Sequence, residues 1–294
     1  MESSHEEMAS ALEASGDYRV LRRLQPRMFK PDFIPGARLA LYVDVETTGL
    51  DPRQDEIIEL AMVPFWYDPN GQVLGCSAPF QAFNQPRLPI TAEIQALTGI
   101  SNEMVAGQRI DPAAVLSVVS PAALVVAHNA GFDRRFLERI DGVFTTKAWA
   151  CSMSQVDWAA DGHEGTKLGY LAQGCGFFYD RHRAVNDCFA AVELLARPLR
   201  RASRPAMAEL LERARAPSWR IWAENSPFDL KDRLKSRGYR WNGEGGASPR
   251  AWYVDVEESA LQNELTFLKM EIYQREIDLL THRIDAYDRF SDRC

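Results

Sequence analysis

Cysteine is scarce in this sequence, and its spacing does not indicate a metal cluster. There are five cysteines, an odd number, and no two of them form a C-x-x-C pair. A disulfide framework needs paired cysteines and a structural zinc site needs closely spaced thiolates, so the sequence favours neither. Free thiols persist in a reducing compartment, and we therefore expect a cytoplasmic protein.

Long apolar runs are lacking as well. The longest strongly apolar stretch, 122–127, is far shorter than the roughly 20 residues that cross a bilayer. The first residues, MESSHEEMAS, are acidic and contain no apolar core of a signal peptide. We expect no membrane segment and no export signal.

The chain also lacks an excess of positive charge. It carries 34 lysines and arginines against 41 aspartates and glutamates, which gives a net charge of -7. This balance argues against a protein that holds nucleic acid by bulk positive charge, so any polyanion must meet a local basic patch or a metal ion. The rest of the composition, 46% hydrophobic and 26% charged, is typical of a globular protein.

A mixed α/β sheet is predicted for residues 38–200, after an N-terminal helix and basic segment in residues 1–37. The run LALYVDV from Leu39 is continuously apolar up to its acid, as in a strand buried on both faces. The segments EIIELAMVPFWY and QVLGCSAPFQAF flank a turn at 68–71, which predicts an antiparallel hairpin. Later strands are expected at 121–129 and 143–146, with helices over 90–97, 113–119, 131–140, 167–174 and 184–195. Three antiparallel strands followed by alternating helices and strands indicate a mixed sheet with flanking helices.

The remaining residues predict a second, smaller unit. Residues 201–217 are expected to form a partly helical linker, and residues 218–257 a small βαββ module. Residues 258–294 predict one long helix with two apolar stripes at spacings of three and four. Because two stripes need two surfaces to pack against, we expect this helix to contact the module and to support a homodimer.

The first strand carries two acids at its end. Asp44 and Glu46 are two residues apart, so the pleat points both carboxylates to the same face. Two ionised carboxylates side by side at a buried position are costly without a cation. No lysine or arginine is near in sequence, so the pattern favours a hard divalent cation, Mg²⁺ or Mn²⁺, bound through oxygen.

Two more acids and a histidine stand in similar contexts further along the chain. Asp133, in AHNAGFDRRFL, is placed in the first turn of a helix, and Asp187, in HRAVNDCFAAVELL, inside another. His182 comes just before the second helix. With the motifs VDVETTGL, HNAGFD and H-x-x-x-x-D, residues 39–195 resemble the DEDD family of 3'-to-5' exonucleases. The branch is the one with a catalytic histidine (DEDDh), which includes polymerase proofreading subunits and ribonuclease T.

The resemblance implies an RNase H-like fold and a role for each of these positions. Two divalent cations, Mg²⁺ or Mn²⁺, would be held by Asp44, Glu46, Asp133 and Asp187, with Asp44 bridging them. His182 would be the general base, and all five residues would be catalytic. The terminal nucleotide would contact residues around these positions, namely Thr47, Thr48, Gly49, Leu50, Leu97, Asn129 and Phe132.

The function implied is a metal-dependent 3'-to-5' exonuclease that releases nucleoside 5'-monophosphates from a single-stranded 3' end. DNA is favoured over RNA, because the basic segment 197–250 suggests a larger substrate than a trimmed RNA tail, and a polymerase or repair complex is a candidate partner. An RNA 3'-end trimming exoribonuclease and a non-catalytic adaptor of such a complex stay open as alternatives.

The aromatic residues of the small module allow two interpretations. They alternate with arginine and lysine, as on a surface that stacks single strands, but a module this small also needs large apolar residues for its own core. The pattern PFDLKDRLKSRGYRW with AWYVDV weakly resembles a small module attached to other DNA-processing proteins. The residues concerned are Trp219, Trp222, Tyr239, Trp241, Trp252 and Tyr253.

Overall fold

The computed structural model describes residues 2–29, 34–243 and 248–294. The chain divides into two compact units, an N-terminal unit that ends at Leu211 and a C-terminal unit that begins at Glu212. Lys30 of the basic segment and residues 244–247 of the glycine-rich turn in the small module lie outside the described ranges.

The N-terminal unit is built on a mixed sheet. Its strands are β1 (Arg22–Arg23), β2 (Arg38–Thr47), β3 (Ile57–Tyr67), β4 (Val73–Cys76), β5 (Phe80–Phe83), β6 (Leu124–Ala127), β7 (Trp149–Cys151) and β8 (Phe177–Phe178). In the main sheet the order is β4-β3-β2-β6-β7, and β5 also pairs with β3. β3 is antiparallel to β2, whereas β6 and β7 run parallel to it and to each other. The predicted mixed α/β fold, with a meander followed by parallel strands, is confirmed.

Helices flank this sheet. They are α1 (Glu2–Ala14), α2 (Ala92–Thr98), α3 (Asn102–Val105), α4 (Pro112–Val119), α5 (Ala130–Ile140), α6 (Leu168–Gly174), α7 (Ala184–Ala196) and α8 (Ala206–Arg215). α7 packs across β2 and β3, with the buried Cys188 Sγ 3.7 Å from the Tyr42 carbonyl oxygen. β2 buries Ala40 to Val43 almost completely, which explains why its sequence is a continuous apolar run.

Two local predictions in this unit are wrong. The strand expected over 72–83 is divided into β4 and β5, which pair with different parts of β3, and Pro79 lies between them. Residues Gly142–Thr146 form a 3₁₀ helix instead of a strand, because the Asp141 side chain accepts a hydrogen bond from the Val143 N–H at 2.7 Å. The parallel strand begins three residues later, at Trp149.

The N-terminal basic segment binds back onto the same unit. β1 pairs in parallel with β8, through the Arg22 N–H to the Gly176 carbonyl at 3.1 Å and the Leu24 N–H to the Phe178 carbonyl at 2.9 Å. The Arg23 side chain forms an ion pair with Asp180 at 2.9 Å. These contacts order the segment that leads into residues 179–182.

The predicted linker of residues 201–217 is mostly helical. α8 occupies Ala206–Arg215, and its residues Met207 and Leu210 are fully buried. The Glu209 carboxylate, also buried, is bonded to Arg201 and accepts a hydrogen bond from the Asp157 N–H at 3.1 Å. Pro205 and Pro217 thus flank a packed helix.

The C-terminal unit is a four-stranded antiparallel sheet with two short helices. Its elements are β9 (Ser218–Ala223), α9 (Lys231–Ser236), β10 (Arg240–Trp241), β11 (Trp252–Glu257), α10 (Leu261–Phe267) and β12 (Thr281–Ile284). The strand order is β10-β11-β9-β12. The core lies between one face of the sheet and the helices, and its buried members are Ile221, Ala223, Leu234, Tyr239, Leu268 and Ile272. The predicted order of strand, helix, strand and strand in the module is confirmed.

The prediction of one long helix over residues 258–294 is wrong. α10 continues as a π-helix only to Tyr273, and Gln274 ends it in the left-handed region at φ 52°. The chain then returns as β12, which pairs with the open edge of β9. Strand pairing overrides the helical periodicity of the sequence here. Since the second apolar stripe does not lie on one helix, the reason for expecting a homodimer disappears.

Within the described ranges, every helix is too short or too polar to cross a bilayer.

Candidate active site

Strand β2 presents Asp44 and Glu46 from the centre of the main sheet. Asp44 lies opposite Ala61 and Glu46 opposite Glu59 on β3, so both acids point to the same face. Both are only partly exposed, because β2 has a neighbour on each side and α7 packs over it. The sheet therefore fixes the two carboxylates side by side.

Helix α7 brings Asp187 to the same place. Oxygen atoms of Asp44, Glu46 and Asp187 all lie within 4.8 Å of one another. Asp187 is in the first turn of α7, whose apolar residues Ala184, Cys188 and Ala191 are buried. The packing of α7 on β2 and β3 thus completes an acidic group whose members on β2 and α7 are more than a hundred positions apart in the sequence.

Asp133 lies beside this group. It sits in the first turn of α5, almost fully buried, and its Oδ1 accepts a hydrogen bond from the Val45 N–H at 3.3 Å. Val45 lies between the other two acids on β2, and the charge of Asp133 raises the pKa of Asp44. The structure therefore collects all four predicted acids at one location.

Burial raises the pKa of every one of these acids, and for Asp44 and Glu46 the charges of the neighbouring acids raise it further. For Asp44 the pKa is well above its ordinary value, mainly through burial and then through the charges of Asp133, Asp187 and Glu46. Burial raises the pKa of Glu46 to about 8, with help from Asp187, and that of Asp133 to about 7. Burial also raises the pKa of Asp187. A bound cation would reverse these shifts, because it favours the ionised carboxylates.

The ligand atoms of this acidic group suit a hard divalent cation. All of them are carboxylate oxygens, and neither a thiolate nor an imidazole belongs to the group among the residues that the structure describes. Oxygen ligands with several negative charges are the set that Mg²⁺, Mn²⁺ and Ca²⁺ prefer. The residues therefore fit a divalent metal.

Tyr179 was missed by the sequence analysis. Its hydroxyl donates a hydrogen bond to Asp187 Oδ1 at 2.7 Å, and burial raises its pKa, so the hydroxyl keeps its proton. The Asp187 Oδ2 accepts the His182 N–H at 3.0 Å. One carboxylate is thus oriented by two donors from the preceding loop. The only hint in the sequence is the aromatic run FFYD just before His182.

His182 lies on an exposed loop in front of α7. Its backbone is in the left-handed region at φ 63°, where a residue with a side chain costs about 1 kcal/mol or more. The hydrogen bond from its N–H to Asp187 helps to hold this conformation.

Glu59 is the second residue that the sequence analysis missed. It is fully buried on β3 and accepts hydrogen bonds from the side chains of Gln81 and Arg183, the latter at 3.4 Å. It also accepts the Ala184 N–H at 3.3 Å. Arg183, the residue before α7, gives no side-chain cap, so Glu59 caps this helix from the neighbouring strand. An acid inside the apolar run EIIELAMV was the available signal.

The loop after Glu46 is held in one conformation by Asp55. The Asp55 carboxylate accepts hydrogen bonds from the Thr48 hydroxyl at 3.1 Å and the Asp51 N–H at 2.9 Å. A Cβ atom at Gly49 would lie 2.5 Å from both carboxylate oxygens, so this position has room only for glycine. The Thr47 hydroxyl donates to the Gly49 carbonyl at 2.6 Å.

This rigid loop exposes an apolar side chain. Leu50 is 84% exposed, although large apolar residues are usually covered. The other predicted contact residues lie near helix termini: Leu97 is exposed at the end of α2, and Asn129 is exposed at the start of α5. Phe132 is half-buried and packs on Phe136, with 4.9 Å between ring centroids.

Comparisons with known proteins agree with this geometry. The model of a family described as Exonuclease (RNase T) matches residues 41–195, just over half of the chain. The PolC-type DNA polymerase III of Thermotoga maritima is 30% identical over 134 residues, which cover 45% of this chain and 9% of that protein. The corresponding protein of Listeria welshimeri is 42% identical over 98 residues, which cover 32% of this chain and 6% of that one. The chain thus spans less than a tenth of the length of these relatives.

A solved structure shows the same fold. Exonuclease I of E. coli, crystallised with a dA16 oligonucleotide, superposes with a TM-score of 0.50 at 15% identity. The alignment covers 77% of this chain and 66% of that one. Together with four acids on β2, α5 and α7 of an RNase H-like sheet, the match of the family model means that this chain belongs to the DEDD family of 3'-to-5' exonucleases.

Proposed function

We propose that this protein is a metal-dependent 3'-to-5' exonuclease that releases nucleoside 5'-monophosphates from the 3' end of a nucleic acid, with DNA as the favoured substrate. The observation that carries this proposal is the acidic group. Asp44, Glu46 and Asp187 lie within 4.8 Å of one another with raised pKa values, and Asp133 lies beside them. An adaptor without catalytic activity would not need four acids crowded together at partly or fully buried positions, because this arrangement is energetically costly.

Asp44, Glu46, Asp133 and Asp187 would hold two divalent cations, Mg²⁺ or Mn²⁺. Such cations would supply an activated water and neutralise the oxygen that leaves. Asp44 has all three other acids as charged neighbours, so it would be the central member of the set that holds the cations. The Tyr179 hydroxyl and the His182 N–H keep the Asp187 carboxylate in its orientation.

His182 would accept the proton of the attacking water. A neutral imidazole can act as a base near pH 7, and the loop position leaves the side chain exposed to solvent and substrate. Its backbone N–H is tied to Asp187, so the imidazole is anchored close to the acidic group while its side chain stays free to turn. This arrangement supports the assignment of His182 rather than Tyr179, whose hydroxyl keeps its proton.

The loop from Thr47 to Leu50 would receive the terminal nucleotide. Asp55 fixes the loop before any substrate arrives, which lowers the entropy cost of binding. Leu50 would pack against the last base, and this contact would cover a side chain that is otherwise exposed. Asn129, Phe132 and Leu97 are the remaining candidates for contacts with the strand.

DNA is supported over RNA by the sequence relatives. The matching segments of 30% and 42% identity belong to DNA polymerases of the PolC type. An association with a polymerase or with a repair complex is proposed on the same ground.

The test is an assay with matched 3'-labelled DNA and RNA oligonucleotides in Mg²⁺, Mn²⁺ or EDTA. The parent chain should release mononucleotides from DNA faster than from RNA, and only with a metal. Asp44→Asn should abolish release, whereas the control Asp278→Asn, an exposed acid of the other unit, should behave like the parent. Full activity of Asp44→Asn would exclude the proposal.

A further inference from the structure

Two exposed aromatic side chains of the C-terminal unit are not explained by its core. Phe228 is 75% exposed and Trp241 is 53% exposed, whereas Trp222 and Tyr239 are buried. The core of this unit is complete without the first two. The need for a hydrophobic core therefore explains the buried aromatic residues, but it does not explain Phe228 and Trp241.

Two lysines connect these aromatics into a continuous strip. Lys231 Nζ lies 3.9 Å from the centroid of the Phe228 ring, and Lys235 Nζ lies 5.9 Å from that of Trp252. The Trp252 ring is in turn 5.7 Å from the Trp241 ring, nearly edge to face. Lys231 and Lys235 are four residues apart on α9 and therefore share one side of the helix. We call this row of five side chains the aromatic-lysine strip.

The arginines next to these lysines form ion pairs inside the unit, whereas the two lysines form at most one weak ion pair. Arg233 pairs with Glu271 at 2.6 Å, and Arg237 pairs with the largely buried Glu264 at 2.9 Å. Lys231 makes no ion pair within the described part of the chain. Lys235 is only 3.9 Å from Asp232, and both side chains are exposed, so this contact contributes little.

We propose that the aromatic-lysine strip binds single-stranded nucleic acid, the ligand class of the proposed function on which this assignment rests. Bases stack on exposed aromatic rings without sequence preference, while lysines beside the rings meet the phosphates. The spacing of the strip matches this pattern, since an ammonium group lies against or near an aromatic ring at two successive positions. A second copy of the chain fits less well, because a twofold contact would bring the same lysines together.

The test is a binding titration of the full chain in EDTA, which stops metal-dependent hydrolysis. A fluorescent single-stranded DNA of about 30 nucleotides is the probe, and its anisotropy is followed at several salt concentrations. The double variant Phe228→Ala with Trp241→Ala should bind at least about tenfold more weakly, as expected for the loss of stacked bases. The single variant Trp241→Phe, in which Phe228 is unchanged, should retain most of the affinity because it keeps an aromatic face.

A second pair of variants separates charge from stacking. Lys231→Gln with Lys235→Gln should reduce the slope of log affinity against log salt by about 1 to 1.5, the value for two lost phosphate contacts. Tyr287→Ala is the matched control, because Tyr287 is 55% exposed but follows β12 at the opposite edge of the sheet. It should bind like the parent.

Three results would overturn the assignment. They are unchanged affinity of the double aromatic variant, an equal loss in Tyr287→Ala, and a change of molecular mass in light scattering when the strip is altered, which would indicate a contact between copies. Because binding is measured without a metal, a chain that binds through the strip but releases no nucleotides would contradict the nuclease proposal alone.

Discussion

The raised pKa values of the acidic group predict that the metal-free protein loses stability as the pH rises. An acid whose pKa is higher in the folded than in the unfolded chain stabilises the folded state fully below the unfolded pKa. This contribution is lost as the pH rises through the folded pKa. For Glu46 the window extends from its ordinary value of 4.5 to about 8.

The size of the effect follows from these two values. One pKa unit is worth about 1.4 kcal/mol, so between about pH 5.5 and pH 7.5 Glu46 alone should lower the free energy of unfolding by about 2 to 3 kcal/mol. For a unit of this size, that loss corresponds to a fall of about 5 to 10 °C in Tm. Asp133, whose pKa is raised to about 7, should add to the fall in the same range.

Thermal unfolding, followed by circular dichroism at several pH values in EDTA and in Mn²⁺, measures this loss of stability directly. In EDTA, the Tm of the unfolding transition that Mn²⁺ stabilises should fall between about pH 5.5 and pH 7.5. Saturating Mn²⁺ should remove most of this fall, because the cation favours the ionised acids. Glu46→Gln cannot ionise and should flatten the EDTA profile by about the amount given above. Glu93→Gln, an exposed position on α2, serves as the control and should follow the parent. A flat parent profile in EDTA, or a Glu46→Gln profile as steep as the parent's, would refute the reasoning.

Two further predictions concern residues that flank the acidic group. His182→Ala should lower kcat by on the order of 10² to 10⁴, as for the loss of a general base, while the exposed His282→Ala should not; equal rates for both variants would exclude the role of His182. Glu59→Ala leaves Arg183 and the Ala184 N–H without their partner and should cost about 1 to 3 kcal/mol in chemical denaturation. Glu59→Gln keeps an acceptor for the helix and should cost less, so equal denaturation midpoints of the two variants would contradict the capping role of Glu59.

The four acids could be located from the sequence because each one stands next to a strong local signal. Asp44 and Glu46 end an unbroken apolar run, which predicts a buried strand, and Asp133 and Asp187 begin helices. Helices α5 and α7 bring their acids to the carboxyl end of β2, so local pattern and tertiary structure agree here. Glu59 has only a weak signal, because its partners Arg183 and Ala184 are far away in sequence. Tyr179 reaches Asp187 through an irregular loop, which no periodicity in the sequence predicts.

The C-terminal residues show the opposite case. Periodic leucines and isoleucines from Leu261 onward predict a helix correctly as far as Tyr273, where tertiary structure takes over. The edge of β9 offers unpaired backbone groups, and Thr281–Ile284 satisfy them by forming β12. A pattern of side chains contains no information about an open strand edge elsewhere in the fold.

The pairing of β1 with β8 matters for anyone who shortens this chain. A fragment that begins at Arg38, the first residue of β2, would lack β1 and keep every acid, yet it would leave Phe177 and Phe178 with an uncovered backbone edge. Uncovered edges invite association between molecules. The same cut would remove the Arg23 partner of Asp180, which lies between Tyr179 and His182 in the sequence. A fragment with low solubility or low activity would therefore reflect the missing N-terminal segment rather than a defect in the chemistry.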